Sequence, residues 1–154
     1  MKRHANLIRW VLVLSFLSLA SAAHAVSVGI GIGWDPTGLT LVNALTEMPI
    51  TDLLDLRAEV GIALDRAVGL MLASGAILAH YPFPPVDPFV GLGVGAALTP
   101  PPFSTGLVLE AVAGVRIVPF HPVCLFGQLR YLARWSAAGW TLGPVYEAGL
   151  QLRF

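Results

Sequence analysis

The stretch Leu142-Gly143-Pro144-Val145-Tyr146-Glu147-Ala148-Gly149-Leu150-Gln151-Leu152-Arg153-Phe154 decides the fold. Leu142, Pro144, Tyr146, Ala148, Leu150, Leu152 and Phe154 alternate with Gly143, Val145, Glu147, Gly149, Gln151 and Arg153, so every charge falls on one face. A period of two marks an extended strand whose two sides meet different surroundings. Working back along the chain, Val123 to Trp135 repeats the pattern, with Val123, Leu125, Leu129, Tyr131 and Ala133 opposed to Gln128, Arg130 and Arg134. Leu107 to Val118 carries Glu110 and Arg116 on its polar face. Leu53 to Leu64 sets Asp55, Arg57 and Glu59 against Leu54, Leu56, Ala58, Val60 and Ile62. In a helix, where successive residues turn by about 100°, Arg57 would point away from both acids. A strand puts all three on one side.

Four further segments complete the series. Val26 to Trp34 alternates Val28, Ile30, Ile32 and Trp34 with Ser27 and glycines, and Phe89 to Leu98 alternates Val90, Leu92, Val94 and Leu98 with Gly91, Gly93 and Gly95. Gly38 to Met48 reads as Leu39, Leu41 and Leu45 against Thr40, Ala44 and Thr46, with Asn43 off the pattern. Ala67 to His80 is apolar on both faces, and it is too short for a spanning helix although long enough for a spanning strand of about 9–11 residues. Turn chemistry separates the segments: Asp35-Pro36-Thr37-Gly38, Pro49-Ile50-Thr51-Asp52, Asp65-Arg66, Pro82-Phe83-Pro84-Pro85, Thr99-Pro100-Pro101-Pro102, Pro119-Phe120-His121-Pro122 and Ser136-Ala137-Ala138-Gly139. Proline and glycine punctuate strands, proline because it cannot donate to a ladder. The fold class is therefore all-β, an up-and-down antiparallel barrel of about eight strands.

Composition says what surrounds it. The chain is 56% hydrophobic and 12% charged, with a mean hydropathy of +0.75, against roughly 45–50% apolar residues in a water-soluble domain. In lipid, only helices and closed barrels satisfy every backbone polar group. A helical inner-membrane protein is the competing fold, and a soluble β-sandwich a further one; a sandwich would bury its aromatic rings and present a polar outer face. The N-terminus has a processing pattern: Lys2, Arg3 and Arg9, an apolar run from Trp10 to Leu19, then Ala23-His24-Ala25. Residues 1–25 are expected to be a signal peptide cleaved near Ala25, and residues 26–154 the outer-membrane barrel. After removal of the signal, nine acids face six arginines, so the net charge is near minus three. No basic patch offers a nucleic-acid surface. The single cysteine, Cys124, gives no internal disulfide and no zinc signature.

An even strand count puts both mature termini on the periplasmic side. Trp34, Phe103, Trp135 and Trp140 then reach the outer rim, and Tyr81, Phe83, Phe89, Phe120 and Phe154 the periplasmic rim. Two aromatic girdles are what a spanning barrel requires.

With these residues in view, the chain resembles the small eight-stranded outer-membrane barrels, the class of the OmpA transmembrane domain and the OmpX-like proteins. The most specific likeness is Glu147-Ala148-Gly149-Leu150-Gln151-Leu152-Arg153-Phe154, which resembles the bacterial β-signal through Glu147, Gly149, Leu152 and Phe154. The resemblance implies insertion by the barrel assembly machinery, with Phe154 as terminal recognition residue, outer-membrane lipid as the surroundings, and a monomer. Members of that class carry longer outer loops; the short turns here weigh against a loop-based adhesin or receptor.

An eight-stranded barrel is just wide enough for side chains to fill. The expected inward set is Asp55, Arg57, Glu59, Glu110, Arg116, Gln128, Arg130, Glu147, Gln151 and Arg153, with Arg134 near the outer mouth. Four acids facing four or five arginines imply a nearly neutral plug of ion pairs, and so a structural envelope protein. A narrow polar pore is the alternative. A lipid-modifying enzyme is a third reading with a poor case, since Ser74 and His80 stand six residues apart and His121 has no serine beside it. Both histidines read as polar residues at the membrane interface. His121 and Cys124 lack the partners of a metal site, and Gly29-Ile30-Gly31-Ile32-Gly33 lacks the spacing of a dinucleotide loop. No catalytic residue, metal or cofactor is expected.

Overall fold

The computed structural model describes residues 26–64, 70–99, 104–136 and 139–154. The expectations for the signal peptide, for Asp65-Arg66, for Pro100 to Phe103 and for Ala137-Ala138 lie outside the described residues. Eight strands run in order: β1 Ser27–Trp34, β2 Thr40–Thr51, β3 Leu54–Ala63, β4 Met71–His80, β5 Val86–Thr99, β6 Ser104–Phe120, β7 Val123–Ser136 and β8 Gly139–Arg153. Each pairs with its sequence neighbours, and the sheet closes on itself. The closing pair is antiparallel β1 with β8, from Ser27 opposite Arg153 to Trp34 opposite Tyr146. At this end, here called proximal, the Phe154 amide also donates to the Val26 carbonyl at 3.2 Å.

The strands run further than the alternation alone implies, because prolines sit inside them. Pro88 lies within β5 and Pro144 within β8. Pairing shifts register between Pro49 and Thr51 in β2, and between Ile117 and Phe120 across Pro119 in β6. A bulge absorbs a residue that cannot donate to the ladder. At the distal end the β1–β2 turn is built on Asp35. Its Oδ1 accepts from the Thr37 amide at 2.8 Å, the Thr37 hydroxyl at 2.7 Å and the Leu39 amide at 2.9 Å. Gly38 supplies the positive φ of 91° that the turn needs. Slight burial tends to raise the Asp35 pKa, but these hydrogen bonds outweigh it and hold the carboxylate below its ordinary value.

The outer wall is a belt of exposed apolar side chains, including Ile30, Ile32, Leu92, Val94, Leu109, Leu125 and Leu150. At its distal edge Trp34 stacks on Tyr146 with ring centroids 6.5 Å apart, and Trp135 stands opposite Trp140. Tyr81, Phe83, Phe120 and Phe154 are exposed near the proximal edge. Phe89 corrects the expected girdle: it is 2% exposed and points into the lumen.

Two strands depart from the sequence reading. In β2 the faces are exchanged: Leu41, Asn43, Leu45 and Glu47 are inside, whereas Val42, Thr46 and Met48 face outward or are half-buried. Asn43 is on the pattern after all. In β4 the inner face carries Leu72, Ala76 and Leu78, and with them Ser74 and His80.

Inward glycines make room for long side chains from other strands. A Cβ on Gly31 would collide with the Glu147 carboxylate, and one on Gly93 with the Glu110 carboxylate. A Cβ on Gly149 would collide with the Ile30 carbonyl and the Phe126 ring, whereas one on Gly127 would meet nothing within 4 Å. Gly149→Ala should therefore lower stability by about 1–3 kcal/mol through overpacking, and Gly127→Ala should leave it nearly unchanged. Urea unfolding in lipid vesicles measures both; equal effects would contradict this packing. Asp35 gives a pH test. Because its folded pKa is depressed, its contribution is present above the unfolded value and is lost as pH falls through the folded one. The Thr37 and Leu39 amide resonances should thus titrate together below the usual aspartate range, and Asp35→Asn should abolish that titration.

Candidate functional site

The lumen is filled in layers, beginning at the proximal mouth. Arg116, with no solvent exposure, is the hub. It reaches Asp87 at 2.9 Å, Asp55 at 3.1 Å and Glu47 at 3.3 Å. His80 sets its ring between two of these acids, with Nδ1 3.0 Å from Asp87 and Nε2 3.5 Å from Asp55. Arg153, partly exposed at the mouth, also reaches Asp87 at 3.1 Å. Gln151 donates to the Ser27 hydroxyl at 2.8 Å. One carboxylate, Asp87, thus ties together β4, β6 and β8.

The next layer is built on Arg57, whose Nε donates to Glu47 at 2.7 Å and whose Nη1 donates to Gln128. Gln128 passes the chain on by donating to Glu147 at 2.9 Å. The Phe89 ring lies between the guanidinium groups of Arg57 and Arg116, 5.0 and 4.7 Å from its centroid. Buried contacts of this kind contribute up to about 2 kcal/mol each. In the third layer Arg130, 1% exposed, pairs with Glu59 and Glu110 and lies 3.5 Å from Glu147. Beyond it the lumen turns apolar: Leu41, Ala63 and Val145 cluster there, with Leu72, Ala97 and Val108 beside them.

All ten residues expected in the lumen are found there, nine of them buried and Arg153 at the rim. The expected near-neutrality is corrected. Glu47 and Asp87 bring the carboxylates to six, against Arg57, Arg116, Arg130 and Arg153, with His80 among them. Asp87 was legible: it shares the parity of Phe89, Gly91 and Gly93, but Pro88 makes Val86 to Pro88 look like a turn. Glu47 is hidden in the sequence because Leu41 and Leu45, which share its face, look like the lipid-facing side of a strand. His80 is correspondingly a lumen residue and not an interfacial one.

The Ser74 hydroxyl lies 3.4 Å from both Glu110 and Arg130, one layer set apart from His80 with Asp55 and Asp87. Ser74 and His80 do not meet. Among the described residues no three His, Cys, Asp or Glu side chains are placed to hold a metal ion. Of the residues expected to form an assembly signal, Glu147 faces inward, Gly149 lies under Phe126, and Leu152 and Phe154 face outward.

Arg130→Ala should strip the partner from three acids. Removing one member of a buried ionic cluster costs about 3–5 kcal/mol, so the variant should unfold at distinctly lower urea than wild type, while bilayer recordings stay silent because the layers around Arg116 and Arg57 persist. Unchanged stability would show that the cluster contributes nothing.

No protein-family model and no curated protein sequence matches the chain. Solved structures do. The N-terminal β-barrel domain of Pseudomonas aeruginosa OprF aligns over 84% of this chain and 97% of its own, with a TM-score of 0.70 at 14% identity. Neisserial surface protein A aligns over 84% and 95%, with a TM-score of 0.59 at 17% identity. A de novo designed transmembrane β-barrel aligns over 84% and 95%, with a TM-score of 0.62 at 14% identity. The eight-stranded closed antiparallel barrel of this chain is thus similar in fold to the small outer-membrane β-barrels.

Proposed function

We propose that this chain is a small integral outer-membrane barrel with a structural role in the envelope, exported as a precursor cleaved after Ala25. Outer-membrane lipid would cover its apolar belt, and the barrel assembly machinery would insert it through Glu147, Gly149, Leu152 and Phe154 as a monomer. The observation that carries the reading is a lumen crossed by ion-paired layers around Arg116, Arg57 and Arg130, with Leu41, Leu72, Val108 and Val145 lining an apolar distal end. Conduction through such a lumen would need the charged layers to separate and the apolar layer to take up water. A non-enzymatic role is supported by the separation of Ser74 from His80.

Reconstituted into planar bilayers and into liposomes, the wild-type protein should carry no steady current and allow no solute-dependent swelling. A steady current would overturn the closed-lumen reading in favour of a narrow pore. Leu92, 73% exposed in the middle of β5, tests the lipid belt. Leu92→Arg should cost about 2–4 kcal/mol of stability in bilayers, as for a basic residue facing lipid near the midplane. No cost would mean that this wall does not face lipid.

A further inference from the structure

The distal end of the lumen holds a cup of about 220 Å³, beyond the layer of Arg130. Its wall is formed by Leu41, Leu72, Ala97, Val108 and Val145, each buried. Arg134 and Asp35 stand at its rim. Among the described residues, Arg57, Arg116, Arg130 and Arg153 each pair with a carboxylate, and Arg134 does not. Its Nε is buried without a hydrogen-bond partner there. The Arg134 side chain lies across inward Gly106, with Nε 3.1 Å from where a Cβ would stand. Oδ1 of Asp35 is already taken by Thr37 and Leu39.

These two features call for one kind of occupant. Water that enters the cup from the mouth meets an apolar wall with few polar partners, so an apolar occupant that displaces it is favoured; an apolar cavity of roughly 150 Å³ takes up benzene. A buried guanidinium nitrogen without an acceptor is costly in itself, and guanidinium binds carboxylate through charge-assisted hydrogen bonds. We infer that the distal cup is a binding site for a small amphiphile, with an acyl or aryl tail of roughly six to eight carbons inside the cup and an acidic head on Arg134. The tail lies against Leu41, Leu72, Ala97, Val108 and Val145. The head is drawn to Arg134, since the carboxylate of Asp35 repels it. Because the cup lies beyond the charged layers, binding requires no passage through the barrel and does not depend on whether the lumen conducts.

The test uses the mature barrel in lipid nanodiscs with ¹³C-labelled leucine and valine methyl groups, titrated with octanoate and, separately, with octan-1-ol. Saturable shifts are expected at Leu41, Leu72, Val108 and Val145, with octanoate binding about tenfold more tightly than the alcohol. Arg134→Gln should remove that tenfold preference and leave octanol binding intact. Ala97→Phe should fill the cup and abolish both; if that variant does not fold, Arg134→Gln still decides. The inference is overturned if shifts appear only at the lipid-facing Leu92, Val94 and Leu109, if octanoate and octanol bind equally, or if the preference survives in Arg134→Gln.

Discussion

Arg116 and Arg130 are held almost without solvent, and most of the lumen answers to that fact. Taking a guanidinium out of water costs several kcal/mol even after relaxation, and only well-placed acids offset it. Each arginine accordingly faces three carboxylates: Glu47, Asp55 and Asp87 for one, Glu59, Glu110 and Glu147 for the other. Asp87, Glu110 and Glu147 sit on strands laddered to that of their arginine, whereas Glu47, Asp55 and Glu59 reach theirs across the lumen and so bind walls that share no backbone ladder. Arginine suits this task because its planar fork reaches several oxygens at once and stays charged at any relevant pH. The glycines of β1 and β5 follow from the same demand, since Gly31 and Gly93 vacate the volume that Glu147 and Glu110 occupy.

How much of this could be read beforehand depended on how different the two sides of each strand are. In β3 and in the C-terminal halves of β6 and β8 the inner side is charged and the outer side meets lipid, so alternation is plain. In β2 and β4 the contrast disappears. Leu41 and Leu45 in β2, and Leu72 and Leu78 in β4, face the lumen, yet they read like lipid-facing residues. The period of two survives there while its direction is lost, and β2 was turned inside out for that reason. Glu47 was hidden by the same ambiguity. Phe89 was misplaced because an aromatic ring near a strand end usually marks the membrane interface; its burial between two arginines depends on residues from β3 and β6, distant in sequence.

The comparisons separate architecture from role. A natural domain, a neisserial surface protein and a designed chain share this ring of strands at 14–17% identity. A designed sequence attains the same scaffold. What distinguishes one such barrel from another lies in the filling of the lumen and in its mouths. In this chain the features of that kind are the six-acid network, the acid-lined proximal cavity of about 430 Å³ near His80 and Arg153, and the leucine-walled distal cup under Arg134.

The seam between β1 and β8 also governs how the molecule can come into being. Ser27 meets Arg153 and Trp34 meets Tyr146, so the first of the eight strands waits for the eighth to be made. Until it arrives, β1 and β7 each present a bare ladder, and an unpaired edge cannot stand in hydrocarbon. Assembly is therefore close to all-or-none: a chain truncated before Gly139 does not make a slightly smaller barrel but a sheet with two raw margins. Completing the ring is thus a long-range, late event, the kind that slows folding.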